Sequence, residues 1–502
     1  METSTSSKAS KANITFSLAL LKKLRDDGKT ANVFYSPFSV SSALAMVMLG
    51  AKGNTAKQMS EVLCFTEAEQ PKQAETQPEK QPEKQAEKQT EKQTENQAEK
   101  QTEKQTEKQT EKQAEKQAEK QAEKQAEKQT EKQTETQTEK QTQTRTQTPA
   151  QTLMQSQMQT RRQLRTQIQQ RSRLPQYLVK CLKPEDDEDD VHASFSKLLS
   201  ELNKKDAPFA LTIANRLYGE QTYKFVEDFL SEIKKHYKAE LDSVDFQTKA
   251  NDSRVLINSW VEKQTQGKIQ HLLGEGVVDA SSVLVLVNAI YFKGNWDKKF
   301  KEASTVDAKF RINKNDTKSV KMMCQTSKFS FTSIPEANVK ILELLYEGKE
   351  LSMFIFLPDG TEDDTTGLEM LERELTYEKF VEWTRPDKMA QTEIEVRLPR
   401  FKMEESYNLK SVLISMGMED AFTNSDFSGM SPASNLVLSQ VVHKAFVEVN
   451  EEGTEAAAST AGIVADCEII PQTFIADHPF LFFIRHNPTR TVLFIGRYCS
   501  PE

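Results

Sequence analysis

Histidine is scarce in this chain: six in 502 residues, at His192, His236, His271, His443, His478 and His486. None sits in an HExxH or other ligand spacing, so no metal centre is expected. Glycine is sparse too, at 16, and there is no GxSxG, no Walker loop and no GxGxxG. Neither an enzyme activity nor a cofactor is therefore expected. The five cysteines, Cys64, Cys181, Cys324, Cys467 and Cys499, are odd in number and widely spaced. No pair has redox or metal spacing, which points to free thiols in a reducing compartment. No apolar run is long enough to cross a bilayer. The first residues, METSTSSKASKANITFSLALLKKL, lack a positive region ahead of a long apolar core and have no evident cleavage site. A cytoplasmic location off the membrane is expected, with unconventional release to the outside and nuclear entry left open. The sequons at Asn13, Asn251 and Asn315 are then expected to stay unmodified. A net charge of −8 speaks against a general nucleic-acid binder.

What is abundant is concentrated in one stretch. Residues 66–190 are overwhelmingly Gln, Glu, Lys and Thr, and their core is a four-residue repeat, E-K-Q-A/T. A period of four turns equivalent residues by ~40° per repeat on a helix, so no stripe of one residue type persists. Composition favours helix, but like charges recur at i,i+4. The stretch reads as a solvated insertion, disordered or loosely helical, that cannot bury a core. Its Gln and Lys would suit a spacer or an enzymatic crosslinking arm. Arg161, Arg162, Arg165, Arg171 and Arg173 lack aromatic neighbours and precede an acidic run from Glu185 to Asp190. They read as a solvated tail rather than a nucleic-acid patch. The rest of the chain, 1–65 and 191–502, is long enough for one large domain.

Along that remainder, apolar spacing predicts a helix over 11–27. A short strand follows at Asn32–Tyr35, then a helix opened by Ser36-Pro37 with Pro in its first turn. Another helix runs from Thr55 to near Cys64. After the insertion come helices at Val191–Leu202 and Val226–Tyr237, a strand at Leu211–Tyr218, and a helix at Ile257–Leu273 interrupted at Gly267. Leu284–Phe292 reads as a strand buried on both faces. Further strands are expected at Phe329–Phe331, Val339–Tyr346, Ser352–Leu357, Glu393–Pro399, Phe480–Arg485 and Val492–Tyr498, and a helix at Tyr407–Ser415. The mixture is an α+β pattern.

The informative stretch is EVNEEGTEAAASTAGIVADCE, from Glu448 to Glu468. It has no proline and no aromatic. As a strand, Thr454, Ala456, Ala458 and Thr460 would share one face, and Glu455, Ala457 and Ser459 the other. The first face is small enough to enter the middle of a sheet. The stretch reads as an exposed loop able to become a central strand.

This pattern resembles the hinge of the serpin reactive loop. NVFYSPFSVSSALAMVMLGAKGNTAKQM (Asn32–Met59), LVLVNAIYFKGNWDKKF (Leu284–Phe300), VVHKAFVEVNEEGTEAA (Val441–Ala457) and ADHPFLFFIRHNPTRTVLFIGRYCSP (Ala476–Pro501) resemble serpin segments and fall in serpin order. The resemblance is closest to the ovalbumin-type, intracellular (clade B) branch and its elastase-inhibiting members. It implies an α+β fold of three sheets and about nine helices with an exposed reactive loop. It implies a monomeric suicide inhibitor that traps a target protease as a covalent acyl complex. The hinge would comprise Glu451, Glu452, Gly453, Thr454, Glu455, Ala456, Ala457, Ala458, Ser459 and Thr460. His443 would sit beneath the main sheet with Asn32, Ser36, Ser39 and Asn288 in a polar shutter, and Trp296 at the sheet's upper end.

The resemblance also frames the choice of cleaved bond. The family's usual spacing of about seventeen residues from Glu451 reaches Cys467–Glu468, and elastase-inhibiting members likewise carry Cys before the bond. Ile463-Val464-Ala465-Asp466 instead resembles the bait of a viral serpin that inhibits inflammatory caspases and granzyme B. A protease pocket lined by Arg selects Asp because a bidentate pair to a carboxylate is specific. The sequence favours Asp466–Cys467, with Cys467–Glu468 and use of both bonds as alternatives. Three functions follow: an inhibitor of Asp-specific proteases, an inhibitor of elastase- or chymotrypsin-like serine proteases through Cys467, or a non-inhibitory interaction protein crosslinked through the repeat.

Overall fold

A computed structural model describes residues 8–25, 31–66, 190–204, 206–359, 366–453 and 472–501. The first helix, α1 (Lys8–Leu24), is followed by β1 (Val33–Tyr35), α2 (Pro37–Met48) and α3 (Gly53–Val62). After the insertion come α4 (Val191–Leu202), β2 (Phe209–Glu220), α5 (Glu227–Tyr237), β3 (Glu240–Val244), α6 (Phe246–Gln264) and β4 (Leu284–Gly294). Then follow β5 (Val306–Arg311), β6 (Thr317–Ile334), β7 (Val339–Leu345), β8 (Leu351–Pro358), α7 (Leu368–Glu374) and α8 (Tyr377–Trp383). The chain continues through β9 (Ala390–Pro399), β10 (Phe401–Asn408), α9 (Lys410–Ser415), α10 (Asp420–Thr423), β11 (Leu438–Val449), β12 (Gln472–Ile475), β13 (Phe480–His486) and β14 (Thr491–Tyr498). The α+β class read from the sequence holds.

Among the described residues the strands form two hydrogen-bonded sheets, where three were expected. One has nine strands in the order β1-β14-β13-β8-β7-β6-β9-β12, with β5 paired to β6. The other has five, in the order β10-β11-β4-β2-β3. Two sheets merge because β6 is 18 residues long. It pairs with β9 along Met322–Phe331 and with β7 along Ser330–Ile334, so one strand serves both partners.

The main core lies where α1, α2 and the nine-stranded sheet meet one face of the five-stranded sheet. Helix α2 is its axis. Pro37 pre-sets the first turn, the Ser36 hydroxyl caps the Ser39 N–H, and every residue but Met48 is buried. A second, smaller core covers the opposite face: Ile257 and Val261 of α6 pack with Val285, Val287 and Tyr291 of β4 and Val442 and Phe446 of β11.

Two elements depart from the sequence reading. The helix expected over Ile257–Leu273 is α6, which begins at Phe246 and ends at Gln264. Beyond it, Ile269, Leu272 and Leu273 are buried in non-helical chain. That chain is tied to β11 by Lys444 Nζ to the Gln270 carbonyl (2.8 Å) and Gln440 Nε2 to the Val277 carbonyl (2.9 Å). The helix expected at Tyr407–Ser415 is confined to Lys410–Ser415, because Phe401–Asn408 pairs with β11 as an edge strand. Asn13, one of the sequons, is buried, and its amide exchanges hydrogen bonds with the Val492 backbone. No helix among the described residues is long and apolar enough to cross a membrane.

Candidate functional site

The five-stranded sheet has a seam. β11 and β4 run parallel, with His443 opposite Asn288 and Phe446 opposite Tyr291. Outside them, β10–β11 and β2–β4 are antiparallel. A parallel pair is somewhat less stable per residue than an antiparallel one. β11 ends at Val449 and leads into a tight turn, Asn450-Glu451-Glu452-Gly453, at the end of this seam. Chain folding back from that turn into the seam would run antiparallel to both β11 and β4. One parallel pairing would be exchanged for two antiparallel ones.

The turn is closed by its own backbone: Asn450 N–H to the Gly453 carbonyl at 2.8 Å, and Gly453 N–H to the Asn450 carbonyl at 3.2 Å. It is fastened to the chain beyond β4. Trp296 N–H donates to the Glu452 carbonyl (2.8 Å) and Phe300 N–H to the Glu451 carbonyl (2.9 Å). The Trp296 indole, buried and stacked on Tyr346 with ring centres 4.6 Å apart, donates to the Asn450 carbonyl at 3.0 Å. Gly453 has φ +137°, and a Cβ there would lie 2.2 Å from the Gly294 carbonyl oxygen, so only glycine fits.

Charge fixes the same turn. The Glu451 carboxylate accepts hydrogen bonds from Arg400 and from the Thr305 hydroxyl. Burial pushes its pKa up, but those hydrogen bonds outweigh it and hold the carboxyl below its ordinary range. Glu452 pairs with Lys299 at 2.6 Å.

Midway down the seam lies a buried polar network. His443 Nε2 accepts from the Ser36 N–H at 3.1 Å, so Nδ1 carries the proton and donates to Asn288 Oδ1. Asn288 Nδ2 in turn donates to the Ser39 hydroxyl (2.5 Å) and to Asn215 Oδ1. The Ser36 hydroxyl donates to the Leu493 carbonyl at 2.6 Å, tying the network to the nine-stranded sheet. Burial pushes the His443 pKa down to about 3. The network thus joins both strands of the seam to α2, which lies under it.

The sequence-predicted residues divide into three groups. Ser36, Ser39, Asn288 and His443 are brought together, Trp296 stands at the seam's end, and Glu451, Glu452 and Gly453 form the turn. Asn32 is placed elsewhere: it accepts from the Cys499 and Ser500 N–H groups and donates to the Ser500 carbonyl, holding the chain end against β1. Thr454, Glu455, Ala456, Ala457, Ala458, Ser459 and Thr460 of the hinge lie outside the described residues. So do Ile463, Val464, Ala465, Asp466, Cys467 and Glu468. Arg400, Thr305, Lys299, Asn450 and Asn215 escaped the sequence reading, since nothing local distinguishes them from other surface or loop residues. Among the described residues no group of His, Cys, Asp and Glu could hold a metal ion. Burial pushes the Cys499 thiol up to about 12, so it is protonated and unreactive.

The site is thus a parallel strand pair with a buried polar network at its middle and a pinned turn at its end. The family model described as "Serpin (serine protease inhibitor)" matches residues 11–164 and 149–501. Leukocyte elastase inhibitor of Equus caballus is 40% identical over 495 residues, covering 98% of this chain and 99% of the relative. Leukocyte elastase inhibitor A of Rattus norvegicus is 41% identical over the same length and shares. The crystal structure of uncleaved ovalbumin superimposes with a TM-score of 0.69 at 31% identity, covering 99% of this chain and all of that one. The chain belongs to the serpin family.

Proposed function

We propose that this serpin is a suicide inhibitor of serine proteases, in which chain following Gly453 enters the seam between β4 and β11. The observation that carries this is the direct parallel pairing of those two strands, with the turn that would feed a strand into it pinned at its end. The target's nucleophile attacks the carbonyl of the bait bond, the C–N bond breaks, and the new amine leaves with the C-terminal segment. Insertion of the freed hinge then competes with attack of water on the acyl bond. Residues 454–460 carry no bulky side chain on the face that would be buried, which favours insertion. Residues 1–65 and 191–502 carry this activity as a monomer in the cytoplasm, and residues 66–190 are an insertion set apart from it.

The relatives' names favour an elastase-type serine protease as target, and the family's spacing from Glu451 would then put the cut at Cys467–Glu468. This shifts the balance from the Asp466 bond that the sequence alone favours. The second reading, an Asp-specific protease cutting Asp466–Cys467, rests on the run Ile463-Val464-Ala465-Asp466. The test is incubation with neutrophil-type elastase, granzyme B and an inflammatory caspase, followed by a denaturing gel and mass spectrometry of the released peptide. A denaturation-resistant complex with elastase and a peptide starting at Glu468 supports the first reading. A complex with granzyme B or the caspase and a peptide starting at Cys467 supports the second. Cleavage with no complex overturns both, and leaves a non-inhibitory protein crosslinked through its Gln/Lys repeat.

A further inference from the structure

The nine-stranded sheet carries a cavity of about 130 Å³ where β6, β7 and β9 meet the chain beyond β4. Part of its polar lining comes from three cross-strand neighbours. Ser330 of β6 pairs with Glu343 of β7 on one side and with Gln391 of β9 on the other, so the three share one face of the sheet. Gln391 Nε2 donates to the Ser330 hydroxyl at 2.7 Å. Trp296 and Phe329, both buried, add apolar wall.

Charges of both signs line this cavity, at different depths. Glu343 is 6% exposed. Its carboxylate accepts from the Ser352 hydroxyl at 2.7 Å, and that hydroxyl is held by the Asn487 amide at 2.7 Å. Among the described residues Glu343 has no ion pair. A buried carboxylate served by one neutral hydroxyl lacks the counter-charge that a site poor in water calls for. Lys298 and Lys328 line the same cavity but are exposed, and Lys349 is half-buried. The Lys298 ammonium donates to the Lys328 carbonyl and lies 5.2 Å from the centre of the Phe329 ring. Lys349 reaches Asp297 only at 3.7 Å. Partial desolvation, then the like charges of Lys349 and Lys328, hold the Lys298 pKa below its ordinary value against the pull of Asp297. The inner charge is thus negative and the outer ones mostly positive.

We propose that this cavity binds a short linear zwitterion, with its ammonium group on Glu343 and its carboxylate among Lys298, Lys328 and Lys349. A cavity of ~150 Å³ holds one benzene ring, so the ligand has roughly six or seven non-hydrogen atoms. A plain anion would meet Glu343 at the inner end, and a plain cation would meet the lysines on its way in; a ligand with one charge at each end satisfies both. Trp296, the wall of the cavity, also holds the Asn450 carbonyl, so occupancy should stabilise the fold by mass action. The site stands independently of which protease is inhibited.

Calorimetric titration of the full chain at low salt tests it, with γ-aminobutyrate, butyrate and butylamine as probes. γ-Aminobutyrate should bind saturably at one site per chain and raise the melting temperature. Butyrate and butylamine each lack one of the two charges and should bind at least ~10-fold more weakly. Glu343→Gln keeps an acceptor for Ser352 and should lower the affinity for γ-aminobutyrate at least ~10-fold. Lys298→Ala with Lys349→Ala, at the solvent side of the cavity, should do the same, and decides the matter if Glu343→Gln fails to fold. Absence of saturable binding at millimolar γ-aminobutyrate would overturn the proposal. So would butyrate or butylamine binding as tightly as γ-aminobutyrate, which would make this a simple anion or cation site. Unchanged affinity in the folded variants would place the ligand elsewhere and overturn it too.

Discussion

The guanidinium of Arg400, in the connection between β9 and β10, holds the carboxylate of Glu451 in the turn that ends β11. Glu451 is the more buried partner, with 10% of its side chain exposed against 39% for Arg400. Thr305 donates to the same carboxylate from the chain entering β5. Because Arg400 is partly solvated, screening limits the pair to a contribution on the order of 1 kcal/mol. Glu451→Gln and Arg400→Ala should each lower the melting temperature and, by loosening the turn, speed spontaneous insertion. The pH dependence follows from the sign of the shift. The folded pKa lies below the ordinary value of 4.5, so the stabilisation is present above that pH and is lost as pH falls through the folded pKa. Melting curves between pH 6 and 3 should show this loss in the wild type and less of it in Glu451→Gln.

Gly453 is the tighter constraint on the same turn. Gly453→Ala forces a Cβ against the Gly294 carbonyl and the Asn295 backbone, neither of which is a flexible side chain. The turn must move off the end of β4. A loss of about 2 kcal/mol or more in urea unfolding is expected, and a neutral result would mean the turn is not held as described.

His443 predicts a different pH window. In the unfolded chain it titrates near 6.5, and in the fold burial holds it down to about 3. The stability it contributes is complete above 6.5 and falls as pH drops toward 3, by up to ~1.4 kcal/mol per pH unit for one proton. His486, also pushed down by burial to about 4, and His192, shifted the same way, share the window. His443→Gln should therefore flatten, not abolish, the fall in unfolding free energy between pH 7 and 5. It should also weaken the seam, since its partner Asn288 would lose an N–H donor from Nδ1.

Several of these groups were legible in the sequence and others were not, for physical reasons. Ser36-Pro37 announces a helix start by cap and ring chemistry, and Leu284–Phe292 announces a buried strand by unbroken apolarity. Both are local signals. The misplaced helix shows the limit: Ile269, Leu272 and Leu273 have helical spacing because they are buried against the sheet, and spacing reports burial before it reports conformation. Phe401–Asn408 was lost as a strand because, at the sheet's edge, only Phe401 and Met403 are buried. Arg400 and Thr305 could not be found at all, because they reach Glu451 across 51 and 146 residues of chain. The pairing of His443 with Asn288 was reached through family resemblance, not through spacing.

The hinge makes a sharper functional prediction. Ala456→Arg places a long charged side chain on the face that would be buried in the seam. Insertion should slow relative to deacylation, so the protein becomes a substrate. The number of inhibitor molecules consumed per protease inactivated should rise at least ~10-fold, as expected if a buried unpaired charge costs more than 1.4 kcal/mol. The melting temperature of the uncut protein should stay the same.

The central claim is that the β4–β11 seam receives the loop. Its most direct test is the melting temperature before and after a single cut between Ile463 and Glu468. Two new antiparallel pairings in place of one parallel pairing should raise the melting temperature by ~10 °C or more. An unchanged or lower value in the cut, still-folded protein would contradict the account, because the freed hinge would not have entered the sheet.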